Sequence, residues 1–494
     1  MEIELKREQI KSYQRVYGGV SAREETVESV VPDTMPDIRE ILDAEAMISL
    51  RSKELENGRV SVTGLLEGTV LYLPEEDDIP RRLQLSSTCS FSMEDASVTE
   101  KCRAMVSLQV NAADARALNP RKVMLRLDVS CHAEVYRAGE QSVCCGAEHE
   151  AIHTQEKRET LSVVSAVEEK TFVVAEDFSL PTTGSTLREL LEYRTGACVE
   201  ETKQVGGKLI LQGSASLELL YLSEEEKVCR AGFTSAFSQI MDVGENSTAG
   251  TVTLMPTAVY VEPAAGSYGA GGVSMELHLT AQVVCGAERE LCYLSDAYSN
   301  RYPCRAETEP VSIGVPGRQI ILRDTVRELA DTADGVGEVL CCRVFCGRAE
   351  LRDGQAELSL NVCVLFLNAQ GRLCSMNRRL PCTIPLPAGE SVTEAGPVRC
   401  SEPYAAPAPG GMELRLPVEL ELHSVEQREL TAVSLLELEN ETPLSLADLP
   451  SLTVVRRGER SLWELAKRYR STTELISAAN DDMDARFLLI PRAR

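Results

Sequence analysis

Aromatic side chains are scarce: they make up 4% of the chain, and Trp463 is the only tryptophan. A nucleic-acid platform built on stacked rings has little to draw on. Histidine is scarcer still, with five in 494 residues. Positive charge is in deficit, with 51 Lys and Arg against 76 Asp and Glu and a net charge of −25. Nothing basic is large enough to neutralise a run of phosphates, so no nucleic-acid partner is expected. No apolar run is long enough to cross a bilayer, so no direct membrane insertion is expected. The opening MEIELKREQIKSYQ lacks the apolar segment of a secretory signal, and on that ground the chain is expected in the cytoplasm. Pairs of the form CxxC are missing. The 17 cysteines stand singly or as Cys144-Cys145 and Cys341-Cys342, as reduced, buried small hydrophobes would.

What the chain has in quantity is alternation. Val123, Leu125, Leu127 and Val129 fall on every second position, the mark of a strand with one buried face. Similar runs cover residues 60–73, 83–93 and 104–110. The pattern also repeats. Leu71-Tyr72-Leu73-Pro74-Glu75-Glu76 returns as Leu220-Tyr221-Leu222-Ser223-Glu224-Glu225, 149 residues on, and more loosely as Leu365-Phe366-Leu367-Asn368. A turn precedes each copy: Asn57-Gly58, Gly206-Gly207 and Asp353-Gly354. Before each turn comes a short helix signal, at residues 38–42, 187–191 and 325–330. After each copy comes a loose loop and a last alternating strand, beginning near Met124, Met275 and Met412. Matches at several places per unit imply three internal repeats. The expected fold is therefore mostly β with short helices (α+β). Its parts are an N-terminal entry arm over 1–29 with room for one strand, repeats over 30–160, 161–305 and 306–445, and a small domain over 450–494.

The small domain reads differently. Residues 452–456 are a β-branched run. Ser461 stands before Leu462, Trp463, Leu465, Ala466 and Tyr469, spaced as on a helix face. Thr472 or Thr473 caps a second helix with Leu475, Ile476 and Ala479, closed by Asn480. Residues 487–490 form a strand stopped by Pro491. The order is strand, helix, helix, strand. This tail carries nine Lys and Arg against six Asp and Glu, so a slightly basic module sits on an acidic body. Trp463 has two readings, as core of the module or as a partly exposed partner anchor. In the second, Arg456, Arg457, Arg460 and Lys467 flank it as a basic rim, with Tyr469 on the same helix.

Motifs for chemistry are sparse. His149-Glu150-Ala151-Ile152-His153 spells HExxH, a zinc-protease signature when it lies on a helix, but its flanks carry no apolar helical stripe. His132, His278 and His423 fall on expected strands. Gly184-Ser185 belongs to no GxSxG, no phosphate-loop sequence opens a helix, and residues 266–272 are Gly-rich without a following Lys. No cofactor, no metal and no enzymatic activity are expected.

Two resemblances follow from these residues. Leu462-Trp463-x-Leu465-Ala466-Lys467-Arg468-Tyr469, Thr472-Thr473-Glu474-Leu475-Ile476, Asn480 and Leu488-Leu489-Ile490-Pro491 resemble a LysM domain. That family implies binding of N-acetylglucosamine polymers through the turns before and after the first helix. Here Glu459-Arg460-Ser461 replaces the usual Gly-Asp-Thr or Gly-Asp-Ser, and Gly458 stands one place early. Glu cannot take positive φ cheaply where Gly can. The repeats resemble the SPOCS domain of endospore-forming bacteria, through Val31-Pro32-x-x-x-Pro36-Asp37-Ile38-x-x-Ile41-Leu42 and Asp114-Ala115-Arg116-x-x-Asn119-Pro120-Arg121-Lys122-Val123. In the second repeat the match is Leu294-Ser295-Asp296-Ala297-Tyr298-Ser299. SPOCS repeats followed by one LysM imply a mother-cell protein of spore coat assembly at the forespore surface. The implied partner is a SpoIVA-like coat ATPase, bound through the LysM domain. The alternative is a peptidoglycan-binding protein of cortex or wall.

Overall fold

A computed structural model describes residues 3–180, 186–245, 247–264, 271–332, 335–387, 394–424, 427–438 and 450–493. The Gly184-Ser185 pair and most of the Gly-rich loop over 266–272 lie outside them. The chain is mostly β. No helix among the described residues is long and apolar enough to cross a membrane.

The first six strands form one group: β1 (Leu5–Val30), β2 (Ile38–Glu56), β3 (Arg59–Pro74), β4 (Arg81–Glu94), β5 (Arg103–Asn119) and β6 (Lys122–Ala147). Antiparallel β1-β6-β5 packs on β2-β3-β4. Alternation builds the core. Val60, Val62, Leu66 and Val70 of β3 face Leu125, Leu127 and Val129 of β6, all buried. Gly68 keeps this period but has no side chain, because a Cβ there would stand 2.3 Å from Leu125 of the facing sheet.

The second group repeats the plan with β7 (Ile152–Ser179), β8 (Leu187–Val205), β9 (Lys208–Ser223), β10 (Val228–Asp242), β11 (Thr248–Ala264) and β12 (Gly272–Ser299). Sheet β11-β12-β7 packs on β10-β9-β8 around Leu211, Leu217, Leu277 and Val283. The Tyr13–Val164 pair of β1 and β7 joins the larger sheets of the two groups into one six-stranded sheet.

The third group breaks its long strands in two. It contains β13 (Cys304–Gly314), β14 (Arg318–Asp331), β15 (Val336–Cys346), β16 (Glu350–Arg352), β17 (Gln355–Asn368), β18 (Leu373–Pro385), β19 (Glu394–Cys400), β20 (Tyr404–Ala408), β21 (Gly411–Ser424) and β22 (Gln427–Leu438). β13 pairs with β22 and β14 with β21. Pro316, which has no N–H for a ladder, lies in the interruption between β13 and β14.

Two sequence expectations change. Residues 38–42, 187–191 and 325–330 are strand, not helix. In β2 the register slips between Ile38 and Glu40 and again between Ile41 and Asp43. β8 slips at Leu187/Glu189 and Leu190/Glu192, and β15 at Val336/Glu338 and Val339/Cys341. These bulges insert residues and turn apolar neighbours to one side, so Ile38, Ile41 and Leu42 imitate a helical i, i+3, i+4 spacing. Residues 325–330 pair without a slip along β21, and the equivalent of the other two segments is the start of β15. The entry arm contributes one long strand, β1, which pairs with β6 along nearly its whole length and so belongs to the first group. The boundary drawn at 160/161 falls inside β7, and the one at 305/306 inside β13.

The repeated Leu-Tyr-Leu segments end β3 and β9, and Leu365-Phe366-Leu367 ends β17. All three ends converge. Leu42, Leu71 and Leu73 meet Leu191, Leu220 and Leu222, and both sets meet Leu340, Leu365 and Leu373, in one buried cluster shared by the three groups. Beside these leucines lies a charged centre. Arg343 of β15 reaches Asp43, stands 2.6 Å from Glu192 and lies 3.6 Å from Glu45. Arg194 bonds Glu45 at 3.1 Å. Three carboxylates thus share two guanidinium groups.

Candidate functional site

The tail comprises β23 (Leu452–Arg456), α1 (Leu462–Tyr469), α2 (Thr473–Ala479) and β24 (Phe487–Pro491), with β23 and β24 antiparallel. Ser461 caps α1 in a reciprocal box. Its hydroxyl accepts from the Glu464 N–H at 3.2 Å, and its own N–H donates to Glu464 Oε2 at 2.8 Å. Thr472 caps α2 by accepting from the Leu475 N–H. Asn480 pins the end of α2 to β24. Its amide donates to the Ile476 and Leu489 carbonyls and accepts from the Leu489 N–H, each at 2.7 Å.

The core of the module is Val455, Leu465, Ala466, Ile476, Leu488 and Ile490. It is completed by Tyr298 from the end of β12. Tyr298 reaches the turn after α1 and donates its hydroxyl to the Ser471 carbonyl at 2.8 Å. Burial, aided by the charges of Glu474 and Asp296, pushes this phenol up to about 12, so it stays a donor. The ring lies edge-on to Trp463 at 4.9 Å and has His153 on another side at 5.2 Å.

Asp296, two residues before Tyr298, binds the same face of α1. Trp463 Nε1 donates to Oδ2 at 2.8 Å, and Lys467 Nζ donates to Oδ1 and Oδ2 at 2.7 and 2.8 Å. Trp463 and Lys467 are one helical turn apart, so a single carboxylate bridges them.

The six candidate residues have different surroundings. Trp463 and Lys467 face the second group. Tyr469 is half-buried in the module, with the Arg468 guanidinium 6.0 Å from its ring centre. Arg456 is exposed on β23, opposite Phe487. Arg457 turns the other way and holds the Met483 carbonyl and Asp484. Arg460 is exposed in the turn before α1. Of the basic rim expected around Trp463, Lys467 shares its Asp296 acceptor, and Arg457 is engaged by Met483 and Asp484. Asp296 and Tyr298 belong to the segment 294–299 that carries the SPOCS resemblance in the second repeat, and they lie at the end of β12. Only the contact itself reveals their role.

The first-repeat signature does come together. Arg121 donates to Asp37 at 2.8 Å and to the carbonyls of Val31, Pro32 and Met35, tying the β5–β6 turn to the proline-rich entry of β2.

His149 and Glu150 sit between β6 and β7 and His153 lies on β7, so HExxH has no helix to place both imidazoles on one side. His132 is half-buried, and loss of water around the ring lowers its imidazole to about 4 with help from His423 and Arg348. His278 pairs with Glu276 at 2.6 Å. Among the described residues no three His, Cys, Asp or Glu side chains are placed to hold a metal ion.

In comparisons with protein-family models, curated proteins and solved structures, nothing matches the chain.

Proposed function

We propose that the chain is a non-enzymatic scaffold of spore coat assembly, built of SPOCS-like repeats with a LysM-like tail. In this reading the tail binds a SpoIVA-like coat morphogenetic ATPase and helps localise the coat around the forespore from the mother-cell side. The observation that carries it is Tyr298 at the Ser471 carbonyl. The turn after α1, which the LysM resemblance assigns to sugar, is here filled by a protein side chain, with Trp463 packed against it. A surface that accepts Asp and Tyr in one place suits protein recognition, in which buried aromatic and charged anchors dominate. Localisation of a tagged copy during sporulation tests the reading. A shell at the forespore surface is expected, and diffuse or wall-associated signal overturns it.

Peptidoglycan binding retains one observation in its favour. Gly458, before α1, has φ +58°, and a Cβ there would meet nothing within 4 Å. The backbone is open to close approach at that turn. Co-sedimentation of the full chain with peptidoglycan separates the two readings.

A further inference from the structure

We propose that the tail is a receptor for an Asp-x-Tyr segment, and that its own Asp296-Ala297-Tyr298 fills it, so that a partner gains the site by displacing this segment. The inference rests on the reading of the tail as a protein-binding module and names the chemistry it recognises.

Three features define the receptor. The first is an anion seat: the indole N–H of Trp463 and the ammonium of Lys467 converge on both oxygens of one carboxylate. The indole nitrogen is a donor only, so when half-buried it needs an acceptor supplied from outside the helix. The second is the Ser471 carbonyl. It lies just past Arg470, the left-handed cap of α1 at φ +55°, and faces the incoming phenol. The third is apolar: the module's own core cluster includes the Tyr298 ring, so an empty site leaves that cluster open on one side.

The spacing sets the specificity. Residues two apart on an extended chain present their side chains to the same face. Asp296 fits the anion seat while Tyr298 fits the slot, and Ala297 between them is buried. A segment with the carboxylate but no ring leaves the cluster open. One with the ring but no carboxylate leaves the half-buried indole N–H without its acceptor and gives up the ion pair with the exposed Lys467. The competing partner therefore presents an extended acidic residue two places before a tyrosine.

Trp463 is the sole tryptophan, so its fluorescence reports this site without labelling. In the full chain, wild-type emission is expected to be blue-shifted and poorly quenched by iodide. Asp296→Asn, which keeps the shape and removes the charge, is expected to red-shift the emission and raise quenching while far-UV circular dichroism is unchanged. Asp296→Ala with Tyr298→Ala is expected to do so further. A synthetic peptide of residues 292–300 added to that double variant is expected to restore the blue shift saturably, and the same peptide with Asp→Ala is not. Should the double variant fail to fold, the same peptide added to Asp296→Asn decides. Wild-type emission as accessible as that of Asp296→Asn, or a peptide without effect on the folded variant, overturns the proposal. Capture of a purified coat ATPase separates the two inferences. Capture by wild type with Trp463 already exposed sinks the displacement model alone. A shielded Trp463 with no capture by either wild type or Asp296→Asn sinks the partner assignment alone.

Discussion

Arg343 and Glu192 stand 2.6 Å apart at the meeting point of the three strand groups, and Glu192 is wholly withdrawn from water. They belong to equivalent strands, β15 and β8, near the same bulge. Arg343 is the one cation that touches Asp43, Glu45 and Glu192 together among the described residues.

Replacing Arg343 by Met keeps most of the volume and leaves three buried carboxylates with Arg194 alone. Removing one partner of a buried ionic set is expected to cost about 3–5 kcal/mol, because the remaining charges lose their compensation. Urea denaturation of Arg343→Met against wild type measures it. A change below about 1 kcal/mol, the range of an exposed pair, would mean that water reaches the centre.

Burial pushes the Glu192 carboxyl from the ordinary 4.5 up to about 7, against the pull of Arg343 and with Asp43 and Glu45 adding to the rise. Between those two values the folded chain holds a proton that the unfolded chain has released. Stability from this group is therefore fully present below about pH 4.5, falls as pH rises, and levels off above about 7. Denaturation midpoints at pH 5 and 7.5 are expected to differ less for Glu192→Gln than for wild type. Identical differences in the two proteins would defeat the assignment.

Thiol reactivity follows exposure and thiolate content. Cys198 is exposed on β8, whereas burial pushes Cys131, Cys342, Cys346 and Cys400 up to about 12. Brief maleimide treatment of the native protein at pH 7 is expected to label Cys198 and to spare these four until denaturant is added. Peptide mass spectrometry reads the order of labelling, and early modification of Cys346 would contradict the packing.

Strand alternation made the β-rich class legible, because Val123, Leu125, Leu127 and Val129 all turn inward. The segments around Ile38 and Leu187 read as helix in the sequence for a local reason. Two bulges within five residues give strand the spacing of helix, and a single sequence does not tell the two apart. The length of β1 is hard to read from composition because much of it is charged, and the backbone pairing that carries it along β6 leaves no compositional trace. In the tail, Trp463 stood out by rarity alone. Its acceptor lies 167 residues away, a separation over which no local periodicity carries information. Closeness in sequence to Trp463 does not foretell partners: Lys467 shares the Trp463 acceptor, and Arg457 binds Asp484 instead.

The nine leucines at the centre have a practical consequence for dissection. Each strand group supplies three of them. Cutting the chain between groups would leave a greasy wound on both fragments. A deletion that abolishes function would then report the collapse of what remains, and the task of any one repeat would have to be found by point substitution on its outer faces.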